Sequence, residues 1–296
     1  MQHFDVMFSF VVHFKETEPH LLSKHWEFLN SAYSQLVSSL SVILEDDGVN
    51  ETLKEGEERN IGSTLDTETR MRSLTTLRML TYIYSQTFLN FEDQLAKKNL
   101  MAPPENKKGR KKGRNALGSI DEDDDVNYNG KRQEILSQFY SLLQLPINRL
   151  WDPPVAEEEF INLIANSCYK IIEDPEASTA RLRHIRESIF QVLGTLIKRH
   201  NHGLSCSIKI VQLLKLYEHT SITLAQGLKT FAGSSLGCRS MVREVLREIS
   251  EADPGEFSAD TSGTRAICQF LIELSVGLPS LMQASISLLL PLLDFE

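Results

Sequence analysis

The chain has 296 residues, 41% of them hydrophobic and 24% charged, which is enough apolar matter for a sizeable core in one large domain or two small ones. Its formal net charge of -9 excludes a protein that coats DNA through bulk positive charge, so any phosphate contact has to come from a local basic patch. Four cysteines, Cys168, Cys206, Cys238 and Cys268, stand 30 or more residues apart, which excludes a CxxC metal or redox motif; they read as reduced core thiols of a nuclear or cytosolic protein.

Residues 1–96 read as a helical segment. Met1 to Phe14 has no basic leader and carries Asp5 and His13, so it is not a secretory signal. Phe4, Met7, Phe8, Val11 and Val12 make a first apolar stripe at helical spacing. Trp26, Leu29, Tyr33, Leu36, Val37, Leu40 and Ile43 make a second, and Leu74, Leu77, Leu80, Tyr84, Phe88 and Phe91 a third. The polar stretch from Glu45 to Thr64 between them predicts a loop. No run reaches the ~18 uninterrupted apolar residues of a membrane span.

Residues 97–130 break the pattern. They hold Pro103-Pro104, a basic run, an acidic run and few apolar side chains, so ordering them costs more entropy than burial returns, and a disordered linker is expected. The basic run is Lys107, Lys108, Arg110, Lys111, Lys112 and Arg114, interrupted by glycines. It reads as a nuclear-localisation signal or an extended phosphate-binding arm, against the plainer alternative of a solvated charge run. Asp121 to Asp125 are five consecutive acids, suited to folding back on that arm or to meeting basic histone tails. Ser119 precedes Asp121 and Glu122, a context for an acid-directed kinase, and its modification is expected to weaken the basic arm.

From residue 131 to 296 helices return in pairs. Starts are predicted near Lys131, Thr179, Thr220 and Ser262, at intervals of 48, 41 and 42 residues, each with room for two helices and two turns. The expected buried faces are Phe160, Leu163, Ile164, Cys168 and Ile171; then Leu182, Ile185, Ile189, Leu193, Leu196 and Ile197; then, after a turn at His200 to Gly203, Ile208, Val211, Leu214 and Leu216. Met241, Val242, Val245, Leu246 and Ile249 follow. The last pair carries Ile267, Phe270, Leu271 and Leu274, then Leu281, Ile286, Leu289 and Leu292. Two helices per unit at this spacing is the HEAT/armadillo pattern, in which only neighbouring units cover each apolar face, so an all-α solenoid is expected, with a globular helical bundle as the competing architecture. Neither end has the polar cap a solenoid needs, which predicts a segment of a longer protein or one that docks on another.

Catalytic chemistry is not evident. No phosphate loop, dinucleotide fingerprint, HExxH or GxSxG occurs, so no cofactor, small-molecule substrate or enzyme activity is expected. His200 and His202 read as a solvated turn rather than metal ligands, and Glu157-Glu158-Glu159 as first-turn acids that complement a helix dipole. Residues 179–215 are unusual: Arg181, Arg183, Arg186, Lys198, Arg199, Lys209 and Lys215 face the single carboxylate Glu187. They form either a stripe that contacts phosphates or a surface paired with acids of adjacent helices such as Glu244 and Glu248.

Five stretches carry a resemblance: QHFDVMFSFVVHF (Gln2 to Phe14), LWDPPVAEEEFINLIANSCYKIIEDP (Leu150 to Pro175), RHNHGLSCSIKIVQLLKLYEH (Arg199 to His219), SMVREVLREI (Ser240 to Ile249) and DTSGTRAICQFLIELSVGLPSLM (Asp260 to Met282). In this order they resemble the N-terminal region of the condensin complex subunit 1 family. The resemblance implies a regulatory HEAT-repeat subunit that joins a kleisin, a pair of SMC ATPases and a second HEAT subunit. It implies contact with DNA, chromatin and possible histone partners, and work on mitotic chromosomes in the nucleus, with a cytoplasmic interphase pool. A generic repeat adaptor that binds peptides and no DNA is the alternative.

Overall fold

A computed structural model describes residues 27, 30–38, 40–41, 71–72, 74–82, 84–85, 89, 120–145, 147, 150–151, 153–233, 235–252 and 261–290, with the backbone alone at 120–128 and 261–263. These residues form helices joined by short turns, with no strand among them. No helix among them is long and apolar enough to cross a membrane. The chain divides into two units, Met1–Asp152 and Pro153–Glu296.

The first unit contains α1 (residues 30–38 with 40–41), α2 (residues 74–82, flanked by 71–72 and 84–85) and α3 (Ile120–Gln144). Tyr33, Val37 and Leu40 of the second predicted stripe are buried, as are Leu77 and Tyr84 of the third and Ile135, Leu136 and Phe139 of α3. Their centre is aromatic. Tyr33 stacks on Tyr84 with centroids 4.6 Å apart, and Tyr84 meets Phe139 edge-on at 5.9 Å. A buried phenol needs a polar partner. The Tyr33 hydroxyl lies 3.1 Å from Thr81 Oγ1, and the Tyr84 hydroxyl donates to Asn30 Oδ1 at 2.8 Å. Asn30 Nδ2 in turn donates to Glu134 Oε2 at 3.2 Å, tying α1 to α3.

α3 begins at Ile120, well before the predicted Lys131, so residues 120–130 of the expected linker are helical. The acidic run falls at the helix N-terminus, the end where the dipole favours negative charge. The basic run at 107–114, Ser119, the stripe at 4–12 and the loop expected over 45–64 lie outside the described residues.

In the second unit, Pro154 opens α4 (Pro154–Glu173), where proline's missing N–H costs no hydrogen bond. Asp174 caps a 3-10 turn over Pro175–Ser178, a second 3-10 turn spans Ala180–Leu182, and α5 runs over Arg183–His200. Asn201, at φ 52°, ends α5 in the left-handed region that asparagine tolerates, and the predicted turn follows. Then come α6 (Gly203–Leu216), α7 (Thr220–Ala232), α8 (Leu236–Glu251, capped by the Ser235 hydroxyl), α9 (Thr261–Gly277), α10 (Pro279–Ala284) and α11 (Ile286–Leu289). The predicted start at Thr220 coincides with that of α7.

Packing separates a solenoid from a bundle. α5 lies against α7 and α7 against α9, while α6 lies against α8 and α8 against α11. From α5 to α9 alternate helices are thus neighbours, giving two stacked rows of the kind that tandem helix pairs produce. The α5–α7 joint is a reciprocal insertion. Phe190 of α5 sits on Gly227 of α7, Phe231 of α7 sits on Gly194 of α5, and the two rings are 6.2 Å apart. Only a glycine permits the first approach, because a Cβ at position 227 would fall 2.1 Å from Phe190 Cζ.

Most predicted inward faces are buried, including all six positions from Leu182 to Ile197 and all five from Met241 to Ile249. Ile208 and Leu216 are exposed instead, at 42% and 70%. The inward face of α6 runs through Cys206, Ile210, Leu213 and Leu214. Two residues of α-helix turn about 200°, which carries 208 away from 206 and 216 away from 214. Ile286 is also exposed, Leu281 and Leu289 are half-buried, and Leu292 lies outside the described residues. Three thiols are buried as expected, but Cys268 is exposed on α9.

Candidate functional site

The seven cations of residues 179–215 do not gather into one stripe. Arg183 pairs with Glu187 one turn along α5, at 2.8 Å, and this guanidinium holds the Glu187 carboxyl below its ordinary range. Arg186 turns back to donate to the carbonyls of Ala177, at 2.6 Å, and Thr179. It clamps the 3-10 turns to α5, and its partial burial lowers its pKa. Lys209 reaches Glu173 at the end of α4, at 3.4 Å. Arg181 is exposed in the second 3-10 turn, and Lys215 closes α6. Lys198 and Arg199 occupy the last turn of α5, where cations complement the helix dipole. At 1.5 Å per residue they stand about 22 Å along the axis from Arg183. Glu244 and Glu248 serve neither group, since both lie against Arg247 of their own helix.

The histidine turn is less solvated than its sequence suggests. His200 Nδ1 is 3.8 Å from Glu157 Oε1, with side-chain exposures of 13% and 12%. Burial lowers the His200 pKa against the pull of Glu157. Burial also lowers His202, helped by its neighbour His200. Glu157 sits in the first turn of α4, as predicted, but faces inward to His200 rather than outward to solvent. No group of three or more potential metal ligands occurs among the described residues.

Sequence reasoning passed over a cleft of about 450 Å³ between the end of α7, the start of α8 and the α9–α10 turn. Ala232, Leu278, Pro279 and Leu281 give it an apolar wall, and Arg239 and Arg243 line its other side. These arginines are one turn apart on one face of α8. Lys229 adds a third cation at the margin, its aliphatic stem lying against Gly277 of the cleft wall. Among the described residues none of the three makes an ion pair or a side-chain hydrogen bond. A sequence signal existed: the positions three and four residues either side of Arg239 and Arg243 carry no carboxylate, unlike those around Arg247.

A family model described as non-SMC mitotic condensation complex subunit 1, N-term, matches residues 19–206. The whole chain aligns with condensin complex subunit 1 of Homo sapiens at 33% identity and with that of Mus musculus at 31%, covering 20% of each relative. The Schizosaccharomyces pombe counterpart is 24% identical over 98% of the chain and 22% of its own length. The chain thus spans about a fifth of the length of these relatives.

Proposed function

Because the chain belongs to the condensin complex subunit 1 family, we propose that it is a non-catalytic regulatory segment of a condensin complex, supporting mitotic chromosome condensation through protein and DNA or chromatin contacts. The observation that carries this reading is the alignment of the whole chain with three animal condensin subunits at 31–33% identity. The two rows of helices in the second unit supply a rigid support rather than a reacting centre. In the complex the segment works beside a kleisin, a pair of SMC ATPases and a second HEAT subunit, on chromosomes in the nucleus. DNA contact falls to the glycine-broken arm Lys107, Lys108, Arg110, Lys111, Lys112 and Arg114, and to the exposed cations Arg181, Lys198 and Arg199. Lys209 is occupied by its ion pair with Glu173, and the backbone contacts of Arg186 give it a structural task. Phosphorylation of Ser119 adds negative charge beside the arm and loosens its hold on DNA.

The test is a duplex-DNA titration over a salt series, together with capture of kleisin fragments by the full-length protein. A segment that neutralises several phosphates loses affinity linearly in log salt, with a slope of about -0.9 per contact. Ser119→Glu is expected to flatten that slope. Binding that is absent at every salt, with no kleisin retained, favours the repeat adaptor and rejects the proposal.

A further inference from the structure

We propose that the cleft formed by Arg239, Arg243, Leu278, Pro279 and Leu281 is a docking site for an extended acidic peptide, with an aliphatic side chain in the apolar half and carboxylates on the two arginines. The chain has 40 acidic against 31 basic residues, so a surface cation has carboxylates available to it. α8 shows both outcomes. Arg247 lies against Glu244, Glu248 and Glu251, while Arg239 and Arg243, two turns and one turn earlier, have no such partner among the described residues. Like charges one turn apart repel unless an anion lies between them. The aliphatic stem of Lys229, a further cation, lies against Gly277 of the cleft wall.

The shape then selects the kind of anion. A cleft of about 450 Å³ is within the range of sites that enclose ligand groups, and half of its wall is aliphatic. Phosphates of a DNA duplex lie on a convex surface and have no use for an apolar wall. An extended peptide fits both halves, because residues two apart point to the same side of the strand, so a leucine and its next-but-one glutamate enter together. Arginine also holds carboxylate through paired N–H donors, which orients the strand. The inference does not rest on DNA contact by the basic arm.

The experiment uses the full chain and a short fluorescein-labelled peptide in which two glutamates flank a leucine at alternate positions, with serines between. Fluorescence polarisation should show saturable binding. Affinity should fall about tenfold or more when Arg239→Glu and Arg243→Glu are combined, and comparably when the peptide leucine is replaced by serine. Both arginines are exposed, and a thermal melt confirms that the double variant folds. Ser280→Trp, which fills the cleft mouth and leaves both arginines in place, provides a second route to the same loss. A labelled DNA duplex should bind the double variant as it binds the wild type. The proposal is overturned if the peptide fails to bind, if its leucine proves irrelevant, or if the arginine changes weaken only the duplex.

Discussion

Gly227→Ala is the sharpest test of the stacked packing. A methyl group at position 227 lands 2.1–2.2 Å from three ring carbons of Phe190, far inside contact distance. Phe190 is only 3% exposed, so its ring has to leave the pocket or force the helices apart. Such overpacking costs about 1–3 kcal/mol, and the depth of this overlap places it at the upper end. Alanine recovers about 1 kcal/mol of helix propensity, leaving a net loss of about 2 kcal/mol. Over a domain of this size that lowers the melting temperature by about 4–8 °C, measurable by circular dichroism. Gly194→Ala is the internal control: its Cβ lies 3.0 Å from Phe231 Cβ, so a much smaller effect is expected. Adding Phe190→Leu to Gly227→Ala should cost less than the sum of the single changes, because the two side chains compete for one space. A Gly227→Ala protein as stable as the wild type refutes the reciprocal insertion.

Two further outcomes follow from the second unit. His200 and His202 have folded pKa values below the ordinary histidine value, chiefly through burial, with Glu157 and Glu158 opposing. The unfolded chain therefore takes up these protons first, near pH 6.5, so stability is full above that value and declines as pH falls below it; thermal melts from pH 7.5 to 5.5 should show the decline, and His200→Gln should lessen it. Native-state alkylation should label Cys268 alone. Cys206, whose thiol burial pushes up to about 12, should react only after denaturation together with Cys168 and Cys238, and rapid labelling of several thiols contradicts the packing of α4, α6 and α8.

The helical architecture was legible because its signal is repeated. The stripe from Leu182 to Ile197 keeps one register over about four turns, and every member is buried. Ile208 and Leu216 were misread because they are apolar without sharing the angular position of Cys206 and Leu214, and in a short helix hydrophobicity alone does not fix the face. α3 was placed too late because its first turns are acidic and polar, a composition that resembles a linker and also suits a helix N-terminus. The site was less legible. Clustering in sequence grouped Arg183 with Lys198 and Arg199, although the length of α5 holds them apart, and Arg186 gave no hint of its backbone contacts. The cleft draws on three separate chain segments that only the fold brings together; its one local trace was an arginine pair with no carboxylate three or four residues away.

The seating of Phe190 over Gly227 also governs where the stack can yield. A ring resting on bare backbone fixes the axial phase of α5 against α7, since a slide of one turn would drive Phe190 into Thr223 or Phe231. That junction behaves as a pinned joint. Under load from a partner, the α5–α7 pair would therefore move as one piece, without axial slip.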